Sequence, residues 1–337
     1  MRKIRKDEHI RNYLKTEYVG DTLFNDVFLE HNSLPDIDFD EVDTSVEFLG
    51  KRVEFPMIIN SMTGGTILGE EINEDLSYLA KEFGLPMAVG SQTIALDDKE
   101  AEETLKVVRD NLDENNIVIA NLGSNAKIED VRKALDMIYA DALAIHLNPA
   151  QELFMQEGDR NFKGVLSNIK AINKAFPGKI MVKEVGYGLS KENVKKLFDN
   201  GINIIDISGH GGTNFTEIED MRDNQSDFSE FYSWGIPTAK SIIDARSVSK
   251  DITLIGSGGI KTALDLVKAI VLGADITGVS GELLRFLVHG DYEYASMYLE
   301  SLIYKTKLVM ILLGVKNIEE LKKVPYKTTG RLRELLD

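Results

Sequence analysis

The chain has 337 residues and no cysteine. That removes disulfides, thiolate metal sites and cysteine nucleophiles together, and it agrees with a reducing compartment, the cytoplasm being expected. Long hydrophobic runs are missing as well. The most apolar late stretch, Leu299 to Leu313, is interrupted by Glu300, Lys305 and Lys307. It reads as a helix buried in the protein or in a subunit contact, not as a membrane span. Positive charge is in the minority, with 39 Lys and Arg against 55 Asp and Glu and a formal net charge of −16. Such a surface repels nucleic acid and anionic lipid at long range, and neither is expected as a partner. Local basic groups can still outweigh that field inside a cleft, and Arg2, Lys3, Arg5 and Lys6 form such a cluster. No apolar segment follows it, and Asp7, Glu8 and His9 come directly after, so it does not read as a secretory signal.

What is present is ordinary for a globular enzyme: 43% hydrophobic and 28% charged residues. No sequence repeat occurs, but a pattern does. Short apolar runs recur at Met57–Asn60, Met87–Gly90, Ile117–Asn121, Ala142–Leu147, Ile180–Lys183, Ile204–Ser208, Thr253–Gly256 and Ile276–Val279. They lack polar alternation, as parallel strands buried on both faces do. Amphipathic segments lie between them, among them Ile72–Phe83, Glu129–Tyr139, Lys191–Asn200 and Thr262–Leu272. About eight strand–helix units in series predict an α/β fold, a closed (β/α)8 TIM barrel, over an open doubly wound sheet. Residues 1–50 form a polar lead-in, an N-terminal extension expected to cover a barrel at 51–337 that ends in C-terminal helices. Gly209 to Pro237 is a long loop after the sixth strand, and both segments are predicted to lie over the barrel mouth.

Chemistry in a barrel collects at the carboxyl ends of the strands. Those positions carry Ser61-Met62-Thr63-Gly64-Gly65, Ser91-Gln92-Thr93, Asn121, His146-Leu147-Asn148, Lys183, Ser208 through Thr213, Ser257-Gly258-Gly259 and Ser280-Gly281. Glycines after the seventh and eighth strands either make tight turns or offer backbone N–H groups to a phosphate. Lys183 is either a solvated strand end or a cation beside the N1/O2 edge of a flavin. Asn121, Ser91 and Thr63 could serve that ring's hydrogen-bonding edge, and with a phosphate site they describe bound FMN. Pro149 suits the first position of a helix and Asn148 its cap. Gln151 and Glu152 then fall in the first turn. Glu152 either compensates the helix dipole or shares a cation with substrate phosphates, as Mg2+ sites do.

Five segments together resemble the type 2 isopentenyl-diphosphate isomerases: Arg5-Lys6-Asp7-Glu8-His9, Ser61 to Gly65, His146 to Glu152, Gly211-Gly212-Thr213-Asn214-Phe215, and Trp234-Gly235-Ile236-Pro237-Thr238. The matching motifs span residues 5 to 281 in the family's order. The resemblance implies reversible conversion of isopentenyl to dimethylallyl diphosphate with reduced FMN, Mg2+, and NADPH to reduce the flavin. It also implies a homo-oligomer, a tetramer or octamer. Arg5, Lys6, His9, Asn148 and Gln151 would contact substrate, and Glu152 would bind Mg2+. Ser61, Met62, Thr63, Ser91, Asn121, Lys183, Ser208 and Thr213 would hold FMN, with Gly258, Gly259, Ser280 and Gly281 at its phosphate. Ser61 stands where the family more often has Ala, and Gly281-Glu282-Leu283-Leu284 matches only loosely.

The implied reaction adds a proton at C4 and removes one at C2. The reduced flavin would act as the acid–base group, because Gln151 has no useful pKa and can only orient or relay. His146 is a candidate acid, or else a structural histidine. The rival reading is an FMN-dependent oxidoreductase of a small hydroxy acid or related donor, which would use the same scaffold. It has no use for the basic arm or Glu152. A non-catalytic flavin module would leave His146, Gln151 and Glu152 unexplained.

Overall fold

The computed structural model describes residues 2–222 and 227–336. Eight parallel strands close into a barrel: β1 Met57–Ile59, β2 Met87–Ala88, β3 Val118–Gly123, β4 Ala142–His146, β5 Ile180–Lys183, β6 Ile204–Asp206, β7 Thr253–Ser257 and β8 Ile276–Val279. Closure is made by β8 on β1, where Thr277, Gly278 and Val279 stand opposite Met57, Ile58 and Ile59. A closed ring excludes the doubly wound alternative. Each strand lies within about two residues of the run expected for it, because a strand buried on both faces must be apolar at every position.

The apolar side chains divide into two sets. Inside the barrel, Ile58, Ala88, Ile119, Ala144, Met181, Ile204, Ile255 and Ile276 pack on Phe48 and Val53. Those two come from an antiparallel hairpin, Val46–Phe48 with Lys51–Val53, which stoppers the amino end of the ring. The larger set lies between strands and outer helices, for example Leu76, Leu105, Val131, Ile172, Val194, Ile242 and Leu266. A rigid ring sealed at one end leaves the carboxyl end for chemistry.

Residues 2–50 carry more regular structure than a polar lead-in would. A helix spans Arg2–Tyr13, and Val27–Leu29 pairs antiparallel with Tyr326–Thr328 near the other terminus. Position 50 lies in the turn of the stoppering hairpin, so the lead-in is threaded into the barrel's closed end. The sequence hid this because a three-residue strand has too few positions to show a period.

The expected late apolar helix is Tyr292–Leu313. It buries Ala295, Leu299, Leu302, Thr306 and Met310, while Tyr294, Met297, Tyr304, Leu308 and Leu312 stay exposed on its outer side. Among the described residues no helix is long and apolar enough to cross a membrane. The long loop after β6 contains a short helix, Phe215–Asp220, and His210 bridges to Pro237 across its base. Positions 223–226 of that loop lie outside the described residues.

Candidate active site

A cavity of about 1760 Å³ opens at the carboxyl ends of the strands, and every residue expected to contact substrate, FMN or Mg2+ borders it. Its floor is set by register: His146 on β4 stands beside Lys183 on β5, and Lys183 stands beside Asp206 on β6. Its roof is the N-terminal helix and the Phe215–Asp220 helix.

The turn after β1 is forced by close approach. A Cβ on Gly64 would lie 2.4 Å from Leu105, and one on Gly90 2.3 Å from the Thr63 carbonyl. This fixes Ser61 and Thr63 at the cavity wall, where both hydroxyl oxygens are buried without a protein partner. Orphaned buried hydroxyls cost free energy unless a ligand completes them. They therefore suit the polar edge of a flavin. Ser91 Oγ lies 3.0 Å from Thr93 Oγ1. Asn121 is already engaged at both ends, its Nδ2 donating to Val89 O at 3.2 Å and its Oδ1 lying 2.9 Å from His146 Nδ1.

The glycines after β7 and β8 are required by different close approaches. Glycines of the β7 loop interlock with the β6 loop: a Cβ on Gly258 would lie 2.1 Å from Gly209 O, and one on Gly212 2.5 Å from Gly259 N. Gly258 and Gly259 also have φ of +98° and +79°. Their backbone can thus face an anion at a spacing no side chain would permit. After β8 the reason for glycine is different. The Tyr13 hydroxyl would lie 2.2 Å from a Cβ on Gly281, so this glycine admits the N-terminal helix. Burial, with Arg285 pulling the other way, pushes the Tyr13 phenol up to about 12, so it stays neutral.

Three titratable groups at the floor are strongly shifted. Burial, helped by the charges of Lys183 and Lys6, pushes His146 down to about 3. With Nδ1–H donating to Asn121, it is a neutral imidazole at physiological pH. Of the two roles expected for His146, this environment favours the structural one. Burial also lowers Lys183, opposed by Asp206 and Glu184, and its Nζ donates to Glu184 O at 2.6 Å. Burial raises Glu184 to about 7, even though its carboxylate accepts N–H bonds from Val185, Gly186 and Tyr187.

The arm places its cations unequally. Lys6 Nζ donates to Ser91 O at 2.8 Å and to Gly64 O, bracing the β1 and β2 turns. Burial, then the charge of Arg5, brings it down to about 8. Arg5 lies 3.5 Å from Glu157, and His9 Nε2 lies 2.9 Å from Glu219. Asn148 takes the cap position of the Pro149–Phe154 helix, but its side chain does not cap. Its Nδ2 donates instead to Gln151 Oε1 at 3.2 Å and Glu152 Oε1 at 3.0 Å, and Gln151 Nε2 donates to Glu219 at 3.2 Å.

Glu219 is the residue sequence reasoning missed. Burial works to raise its pKa, but His9 and Arg222 outweigh burial and hold it below the usual carboxylate range. Arg222 gathers three carboxylates, Glu8 at 3.0 Å, Glu157 at 2.9 Å and Glu219. Asn214 caps the Phe215–Asp220 helix through Thr216 N and Glu217 N, and so sets the start of the helix that carries Glu219. Among the described residues no group of three or more His, Cys, Asp or Glu side chains could hold a metal ion. Glu152 is a single carboxylate whose Oε2 accepts from Asp159 N at 2.8 Å. That suits a Mg2+ whose other ligands are phosphate and water.

Residues 146–327 match the family model of FMN-dependent dehydrogenases. The chain is 44% identical over 329 residues to an isopentenyl-diphosphate delta-isomerase of Geobacillus sp. (strain WCH70), covering 97% of this chain and 93% of the relative. Against that of Bacillus mycoides (strain KBAB4) identity is 46% over 329 residues, with the same coverages. Solved structures of similar fold include a flavocytochrome b2 variant with pyruvate bound, at a TM-score of 0.71, 18% identity, and 97% and 84% coverage. A mandelate oxidase variant with a monooxide FMN adduct has a TM-score of 0.66, 16% identity, and 96% and 92% coverage. At such identities the likeness shows the fold alone.

Proposed function

Because the chain belongs to the isopentenyl-diphosphate delta-isomerases, in their FMN-dependent type 2 form, we propose that it isomerises isopentenyl diphosphate in a chamber roofed by its own N-terminal helix, with Mg2+ on the diphosphate. The observation that carries this reading is the junction of two parts. Orphaned hydroxyls and a glycine cradle fit FMN at the floor, and a basic arm with Glu152 faces them from the rim. Bound reduced FMN supplies an electron-rich ring face and an acid–base nitrogen.

The reaction adds one proton to the terminal alkene carbon and removes one from the methylene beside it. No electrons are consumed overall. Lys183 would provide positive charge for a bound flavin, and neutral His146 holds Asn121 in place without competing for a proton. Asn148 and Glu219 fix the two ends of the Gln151 amide, so it presents one orientation to substrate. Arg5 would supply charge and His9 a ring N–H near the diphosphate, with Lys6 bracing the turns beneath. Glu152 would hold a Mg2+ to neutralise the remaining diphosphate charge. NADPH serves only to keep the flavin reduced.

The hydroxy-acid oxidoreductase reading rests on fold likeness at low identity and leaves the arm and Glu152 without a task. The exposed Tyr294, Met297, Tyr304, Leu308 and Leu312 on the late helix support a homo-oligomer, which light scattering on the purified protein tests.

The test of function is anaerobic turnover of the reduced protein with Mg2+ and isopentenyl diphosphate in deuterated water, followed by NMR. Deuterium entering substrate and product without stoichiometric NADPH use is expected. Reductant consumed at every turnover, with no label exchange, would sink the assignment.

A further inference from the structure

We propose that Asp206 is a positioning residue of the flavin chamber, tying the ends of β1, β6 and β7 together and supplying the counter-charge to Lys183. The Asp206 carboxylate is completely buried at the end of β6. Its Oδ2 accepts from Asn60 Nδ2 at 2.7 Å, and its Oδ1 accepts from Ser257 Oγ at 2.5 Å and Ser208 N at 3.1 Å. All three donors are neutral. The carboxylate is thereby solvated by the protein while its charge stays uncompensated by any contacting cation among the described residues.

Each donor leads to a loop that borders the cavity. Asn60 Oδ1 accepts from Ser61 N at 2.9 Å, which sets the turn carrying the two orphaned hydroxyls of Ser61 and Thr63. Ser208 has a φ of +35°, a conformation side chains rarely adopt, and the bond from its N–H to Asp206 holds it there. Ser257 directly precedes the Gly258–Gly259 cradle. The layer is packed for this purpose: a Cβ on Gly278 would lie 2.9 Å from both Asn60 Nδ2 and Ser257 Cβ. Lys183 stands next to Asp206 in register, and a buried ammonium needs a nearby negative charge to keep its proton. The other charged or titratable groups around Lys183 are Glu184 on its own strand, His146 on β4 and Lys6 on the arm.

The inference rests on the flavin reading, and the test separates the two. FMN is stripped from the protein and rebound, followed by quenching of flavin fluorescence. Asp206→Asn is expected to weaken FMN at least about tenfold near pH 7, with a further loss as pH rises and Lys183 deprotonates early. In a Lys183→Gln background the same change should lose its pH dependence. Asn60→Ala cuts the tie to Ser61 but keeps the charge, so it should weaken FMN without altering the pH profile. It also serves if Asp206→Asn does not fold. Wild-type affinity in Asn60→Ala, or an unchanged affinity and pH profile in Asp206→Asn, overturns the proposal. A wild-type protein that takes up no FMN at all overturns the flavin reading with it.

Discussion

His9 and Glu219 meet at 2.9 Å over the barrel mouth, one on the N-terminal helix and the other on the helix of the β6 loop. Glu219 is almost wholly buried and its pKa is held low by His9 and Arg222 against the effect of burial. A carboxylate with a depressed folded pKa contributes stability above its unfolded value and loses it as pH falls through the folded one. The arm should therefore stay docked at neutral pH and release in acid. Glu219→Gln removes the charge from a buried cluster, at a cost on the order of 3 kcal/mol. Tryptic cleavage at Lys3, Arg5 and Lys6 should become fast at neutral pH in this variant. Equal cleavage rates in variant and wild type would show that the pair does not hold the arm.

Glu217 makes the second fastening. Its carboxylate accepts the backbone N–H of Glu17 at 2.8 Å and that of Tyr18 at 3.2 Å. Glu217→Ala leaves both amides short of a partner, and each loss costs about 1–3 kcal/mol where water cannot substitute. Hydrogen exchange at Glu17 and Tyr18 should accelerate well before the barrel strands exchange. Protection unchanged at both amides would count against the latch.

The barrel was legible because its signal is repeated: eight apolar runs, each backed by an amphipathic segment, leave few topologies. The floor of the site was legible for the related reason that strand ends are positions, and positions can be counted. What escaped was carried by tertiary approach. Nothing local marks Glu219 or Asp206 as buried, since each needs donors from distant strands or from the arm. Gly281, expected at the phosphate, also has to admit the Tyr13 ring, an approach that no local pattern shows. Asn148 looked like a helix cap, and its amide instead reaches forward to Gln151 and Glu152.

Imidazole ionisation offers a clean solution test. His146 is pushed down to about 3 by burial and by two lysines, while an unfolded histidine titrates near about 6.5. Below that unfolded value the denatured chain takes up a proton that the native one refuses, so stability falls as pH drops from about 6.5 toward 3. Between about pH 6 and pH 9 the His146 ring should show none of the large shift of imidazole protonation, only the small changes that follow its lysine neighbours. A titration midpoint near 6.5 would put the imidazolium back among the candidate acids.

Gly258→Ala should act on cofactor retention before anything else. Its Cβ would meet Gly209 O at 2.1 Å, and alanine is also disfavoured at a φ of +98°. The β6 and β7 loops would have to separate, opening the cradle at the phosphate. We expect the purified variant to carry little flavin and to bind added FMN at least about tenfold more weakly. A full complement of FMN would place the phosphate elsewhere in the cavity.

Glu152→Gln tests whether metal and flavin occupy separate parts of the chamber. The carboxylate accepts from Asn148 Nδ2 at 3.0 Å and Asp159 N at 2.8 Å, bonds that an amide oxygen can keep in part, so the fold should survive. What the substitution removes is negative charge at the rim. A Mg2+ shared between one carboxylate and a diphosphate loses its only protein anion, and turnover should fall by about 100-fold or more, with a higher Mg2+ requirement. The flavin absorption spectrum should be unchanged, because Glu152 lies in the first turn of the helix after β4 and the glycine cradle is built from the β6 and β7 loops. Loss of FMN in this variant would mean that the carboxylate belongs to the flavin site, and unimpaired turnover would remove Glu152 from metal binding altogether.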